Sequence, residues 1–89
     1  MTMLLKQGSR GPEVRDLQEA LNLIACGNMI PGAQNSPLQT DGVFGPLTKA
    51  RVMQFQTAAK LQSDGVVGPL TAKALVGSTL ALVSGLNQA

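Results

Sequence analysis

The sequence predicts an all-α fold: a small three-helix bundle whose second and third helices each follow an Asp-Gly turn and a very short extended segment. Three observations carry that expectation. Gly-Pro occurs three times, at Gly11-Pro12, Gly45-Pro46 and Gly68-Pro69, and each pair precedes a stretch with helical spacing of apolar residues. The octet DGVFGPLT at 41–48 returns as DGVVGPLT at 64–71, with seven of eight letters identical and a spacing of 23 residues. The 89 residues, 44% of them hydrophobic, suffice for one core without metals or disulfides, so 1–89 reads as a single domain.

The elements follow in order. Proline suits the first position of a helix because its missing N–H is one of the unpaired donors there, and glycine is acceptable just before it. The first helix is expected over 12–24, where Val14, Leu17, Leu21 and Ile24 recur at steps of three, four and three and share one face. The second is expected over 46–59. Val52, Phe55 and Ala59 form its stripe, and Leu47, Ala50 and Met53 widen it, which marks it as the central helix, buried on more than one side. A short third helix is expected over 69–76 with Leu70, Ala74, Leu75 and Val76, and Gly77 is placed to end it in a left-handed turn. Residues 78–89 either extend a helix or cover the core through Leu80, Leu82 and Val83. The link CGNMIPGAQNSPLQT over 26–40 is longer than the ~4–6 residues usual for a connection, a length that points to a functional or mobile loop.

Within the octets, Asp41-Gly42 and Asp64-Gly65 are turn signals, because Asp accepts a backbone N–H two residues on and Gly tolerates positive φ. Val43-Phe44 and Val66-Val67 are β-favouring, and a short antiparallel pair between the two octets is expected. Gly45 and Gly68 stand at helix caps like Gly11. Thr48 and Thr71 fall at the third helical position, where a hydroxyl satisfies a helix-end group locally. The repeat therefore reads first as a turn-and-cap device. Calcium is excluded, since an EF-hand loop needs acids at alternate positions and a closing Glu.

Charge and chemistry exclude further classes. A net charge of +2 from seven scattered Lys and Arg is no nucleic-acid footprint. The start, MTMLLKQGSRG, lacks the apolar core of a signal peptide, so no export signal is expected. The apolar run LALV at 80–83 is far below the ~18 residues of a membrane span. There is no histidine, and Cys26 is the sole cysteine, so an intrachain disulfide, the usual metal sites and a Cys-His pair are ruled out, and no cofactor is expected. Glu13, Asp16 and Glu19 lie on the wet side of the first helix, and Asp41 and Asp64 already serve turns. The chain is not expected to be an enzyme by itself.

The segments LLKQGSRGPEVRDLQEALN, TDGVFGPLTKARVMQFQ and LQSDGVVGPLTAKAL together resemble the peptidoglycan-binding domain family of three-helix cell-wall modules. The resemblance covers about residues 4–76, leaving 77–89 as an extension or the start of a linker. It rests on a Gly-x-x-Gly-x-x-Val-x-x-Leu-Gln opening, two Asp-Gly-x-x-Gly-x-x-Thr units and Phe55-Gln56. The family's structural positions fall on Gly11, Asp41, Gly42, Gly45, Thr48, Asp64, Gly65, Gly68 and Thr71. Two departures stand out: Ala25-Cys26-Gly27 where the family often has an aromatic, and Ala72 where it often has Trp. The resemblance implies a monomeric, non-catalytic module that binds bacterial peptidoglycan and anchors a murein hydrolase, such as a phage endolysin, whose catalytic domain would follow Ala89. Such a module acts at the cell wall, in the periplasm or outside the cell. The competing expectation is a protein-interaction module of a secretion or phage-tail assembly, using the 26–40 loop and the apolar tail.

For wall binding, the absence of Trp and Tyr removes the usual sugar-stacking platforms, and Phe44 and Phe55 sit at core-like positions. Hydrogen-bonding candidates are Gln18, Asn22, Arg51, Gln54 and Gln56, and Arg51 or Arg15 would pair with a stem-peptide carboxylate in a charge-assisted, salt-sensitive contact. Gln18 and Gln56 have a second reading, as bridges between helix ends inside the fold.

Overall fold

A computed structural model of the chain describes residues 4–26 and 37–77. Helix α1 spans Pro12–Cys26 and α2 spans Pro46–Ala58. A third helix, α3, covers 69–77. The three-helix architecture is as expected, and each helix begins at the proline of a Gly-Pro pair. The loop over 27–36, the tail 78–89 and the side chain of Cys26 lie outside the described residues. None of the described helices is long and apolar enough to cross a membrane.

Helix α1 follows its sequence pattern. Val14, Leu17, Leu21 and Ile24 are all buried, and Gly11, at φ +127°, turns its carbonyl to accept the N–H groups of Val14 and Arg15 at 3.1 and 3.2 Å. The helix runs two residues past the expected end at 24.

Helix α2 departs from the expectation. Its buried face is Thr48, Arg51, Val52, Phe55 and Gln56, whereas Leu47, Ala50 and Met53 face outward, Leu47 at 78% exposure. The widened apolar stripe is wrong because three polar residues occupy the inner face: Thr48 and Gln56 hydrogen-bond within the protein, and Arg51 bonds Gln54 through its Nε. Ala59 is exposed and lies beyond the last turn. Helix α2 ends in a Schellman arrangement, with the N–H of Leu61 bonded to the Gln56 carbonyl at 2.8 Å and that of Lys60 to the Thr57 carbonyl at 3.1 Å. Lys60 takes the left-handed position at φ 61°, which glycine normally fills.

In α3, Thr71 and Leu75 are buried, while Leu70 and Val76 are exposed. Gly77 remains helical and is absent from the positive-φ glycines, so the expected left-handed stop at Gly77 is not formed.

The octets do not pair with each other. The N-terminal segment runs beside both of them and supplies the partner strand for each. Leu5 exchanges two backbone bonds with Val67, at 3.1 and 2.7 Å. Phe44 bonds Gly8 and Ser9 at 2.9 Å each, and the Gly11 N–H meets the Gly42 carbonyl at 3.0 Å. A chain passing between two short extended segments satisfies an edge of each, which a direct octet-to-octet pair would leave to solvent on its outer sides. Leu5, Phe44 and Val67 are thereby drawn into the core with Val14, Leu21 and Phe55.

Candidate functional site

Each octet is held by one buried glutamine from the preceding helix, and the two arrangements match bond for bond. The Gln18 amide nitrogen donates to Asp41 Oδ1 at 3.2 Å, to the Val43 carbonyl at 3.0 Å and to Thr48 Oγ1 at 3.1 Å, while its Oε1 accepts the Gly42 N–H at 3.0 Å. Gln56 repeats this on Asp64 at 3.0 Å, Val66 at 3.0 Å and Thr71 at 3.1 Å, and accepts the Gly65 N–H at 3.0 Å. Two amide hydrogens are shared among three acceptors, and the glycine N–H fixes which end of each amide is the oxygen. Both glutamines are 1% exposed. The reading of Gln18 and Gln56 as internal bridges is the one that their geometry serves, and it leaves neither amide a free group for a ligand. Thr48 and Thr71 bond these amides, a tertiary contact in place of the expected local one.

Asp41 and Asp64 complete the turns by accepting the N–H groups of Val43 and Val66, each at 3.0 Å. That backbone bond, and after it the glutamine amide, holds each carboxyl below its ordinary value, because both contacts favour the charged form. Gly42 and Gly65 sit at φ +77° and +74°, the conformation that the Asp-Gly turn requires.

Above the first of these clamps lies a groove of about 470 Å³ between segment 37–41 and the first half of α2. Its apolar wall is Leu38, Val43, Pro46 and Leu47, and its polar rim includes Gln39, Arg51 and Gln54. Arg51 and Asp41 are the charged residues among those that line it. Arg51 is 7% exposed and its Nε donates to Gln54 Oε1 at 3.0 Å, which orients both polar heads along the helix. Burial lowers the Arg51 pKa, yet an arginine so placed remains protonated at neutral pH.

The six sequence candidates separate in space. Gln18, Arg51 and Gln54 meet at the groove. Asn22 stands behind it and grips the Leu38 backbone at both ends, Nδ2 to the carbonyl at 2.9 Å and Oδ1 from the N–H at 2.7 Å, so it positions the groove wall. Gln56 belongs to the second octet. Arg15 is exposed on α1, paired with Glu19 at 3.3 Å, and does not line the groove. The residues that sequence reasoning missed are the apolar ones, Leu47 above all, because an outward leucine within a helix reads as core when the true inner face is polar.

Residues 10–75 match the protein family described as "Putative peptidoglycan binding domain". Among solved structures the chain is similar to the SleB N-terminal domain, with 30% identity and a TM-score of 0.69 over 86% of this chain and 93% of that one. It is also similar to a fused zinc-dependent amidase/peptidase/peptidoglycan-binding domain-containing protein from Clostridium acetobutylicum ATCC 824, with 29% identity and a TM-score of 0.65, over 84% of this chain and 29% of that one. No curated protein matches the chain.

Proposed function

The chain belongs to the peptidoglycan-binding domain family, and on that footing we propose that it holds bacterial peptidoglycan in the groove beside the first octet and so keeps an attached murein hydrolase on the wall. The observation that carries this reading is the groove's composition, an apolar shelf of leucine and proline bordered by amides and one guanidinium. Peptidoglycan presents methyl groups next to amides, together with peptide carboxylates at regular spacing. The shelf takes the methyl groups, Gln39 and Gln54 take the amides, and Arg51 takes a carboxylate. Asn22 contributes by fixing the wall at Leu38, and Arg15 has no place in this binding mode.

The domain binds without cleaving. Hydrolysis of a glycosidic bond needs a carboxylic acid kept protonated by its surroundings. Asp41 and Asp64 are shifted the opposite way and are tied to their turns. Glu13, Asp16 and Glu19 are exposed on α1. An open groove on so small a domain binds one repeat unit weakly, on the order of 10 µM to 1 mM. Attachment to an insoluble polymer turns such contacts into long residence, which is what an anchored hydrolase from a phage or bacterium requires.

Co-sedimentation with purified sacculi, scored against an unrelated small basic protein at low and moderate salt, tests the proposal. Retention above the control, weakened in part by salt, is expected. Recovery of the protein in the supernatant at both salt levels would transfer the groove to a protein partner.

A further inference from the structure

Resting on that reading, we propose that the chain carries a second, independent peptidoglycan site at the second octet, so that one domain holds two stretches of the polymer. Two features of the fold carry the proposal. The first is equivalence of lining. A smaller groove, about 250 Å³, is formed by octet positions one, three and five to eight of the second repeat with Gln56 behind them, and the same octet positions of the first repeat with Gln18 behind them line the first groove.

The second feature is a repeated residue that the fold does not use. Aspartate, both glycines, proline and threonine of each octet have structural tasks, whereas the leucine at position seven has none. Leu47 and Leu70 are 78% and 73% exposed, the two most exposed large hydrophobic residues among those described. A helix's first turn favours an acidic residue over an apolar one. The same leucine, held outward on the rim of two equivalent grooves, points to an apolar contact made twice.

The grooves differ in what flanks them, and this sets what the second one accepts. Arg51 and Gln54 border the first, whereas Leu4, Leu61 and Gln62 border the second, where Asp64 is the sole charged lining residue among those described. The second site therefore takes a neutral, methyl-bearing amide, whether an N-acetyl group of the glycan or an alanyl unit of the stem peptide, and its binding is insensitive to salt.

The test is an NMR titration of the ¹⁵N-labelled 89-residue chain with disaccharide-peptide fragments released from sacculi, repeated with Leu47→Gln and Leu70→Gln. Both substitutions are neutral, conserve size and fall on exposed side chains, and an unchanged melting temperature checks that the fold is kept. Two clusters of shifts are expected, around 47–48 and 70–71, with each variant weakening its own cluster by about fivefold and sparing the other. Parallel titrations with an N-acetylglucosamine oligomer and with free stem peptide assign the source of the amide. Shifts confined to the first cluster, with Leu70→Gln binding like the parent chain, would overturn the second site and leave the wall-binding function intact. Loss of binding at both sites in the parent chain would overturn both.

Discussion

Gln18 and Gln56 each gather a turn, a strand residue and a helix start with one primary amide. Removing such a group leaves a buried glycine N–H and a carbonyl without partners, which costs far more than the net worth of the bonds lost. Gln18→Leu or Gln56→Leu should therefore destabilise the fold by about 2–4 kcal/mol, read from denaturant unfolding. The glycines beside them are equally constrained. A Cβ on Gly42 would lie 3.2 Å from the Gly11 carbonyl oxygen, on top of its positive φ, so Gly42→Val should lower stability by about 1–3 kcal/mol. At Gly65 the nearest atom would be Lys49 Cγ, the stem of a flexible side chain, so backbone conformation dominates the penalty there. The two aspartates make the fold acid-sensitive in a defined direction. Their folded pKa values lie below the unfolded ones, so their stabilisation is complete above about pH 4 and is lost as pH falls through the lower folded values. A melting series from pH 6 to pH 2 should show this decline, and Asp41→Asn should flatten it.

Among the helices, legibility in the sequence followed the chemistry of the buried face. Helix α1 buries four aliphatic residues at regular steps, so its periodicity was plain. Helix α2 was visible at its start, through Gly45-Pro46, but its inward face was not. Thr48, Arg51 and Gln56 are paid no attention by a hydrophobic pattern, and their burial depends on partners that spacing does not reveal. Gln18 meets its octet 23 residues on while Gln56 meets its own after eight, so no fixed interval announces the clamp. The N-terminal segment escaped for a related reason. Its pairing with both octets is set by tertiary geometry, and its own residues show no strand alternation. The end of α2 gives a prediction at this scale. Lys60 holds a left-handed conformation that strains any residue with a Cβ, so Lys60→Gly should stabilise the chain by about 0.5–1 kcal/mol, seen as a higher melting temperature.

For the molecule as a whole, one short motif serves two ends. Its aspartate, glycines and threonine build the turn that fastens each helix to the N-terminal segment, and its leucine stands outside that scaffold at the edge of a groove. The sequence announced the family and the turns, since those depend on residue types with narrow conformational uses. It concealed the face proposed for binding, since an exposed leucine has no signature apart from where it ends up. Folding and wall binding should therefore separate by substitution. Retention on sacculi per folded molecule, measured for Asp41→Ala and Leu47→Gln beside the parent chain, tests that division most directly. Asp41→Ala should melt earlier yet bind sacculi normally once corrected for the folded fraction, whereas Leu47→Gln should melt like the parent and lose retention. The reverse pattern, with Asp41 required for binding and Leu47 dispensable, would contradict it and make the octet's turn itself the ligand contact.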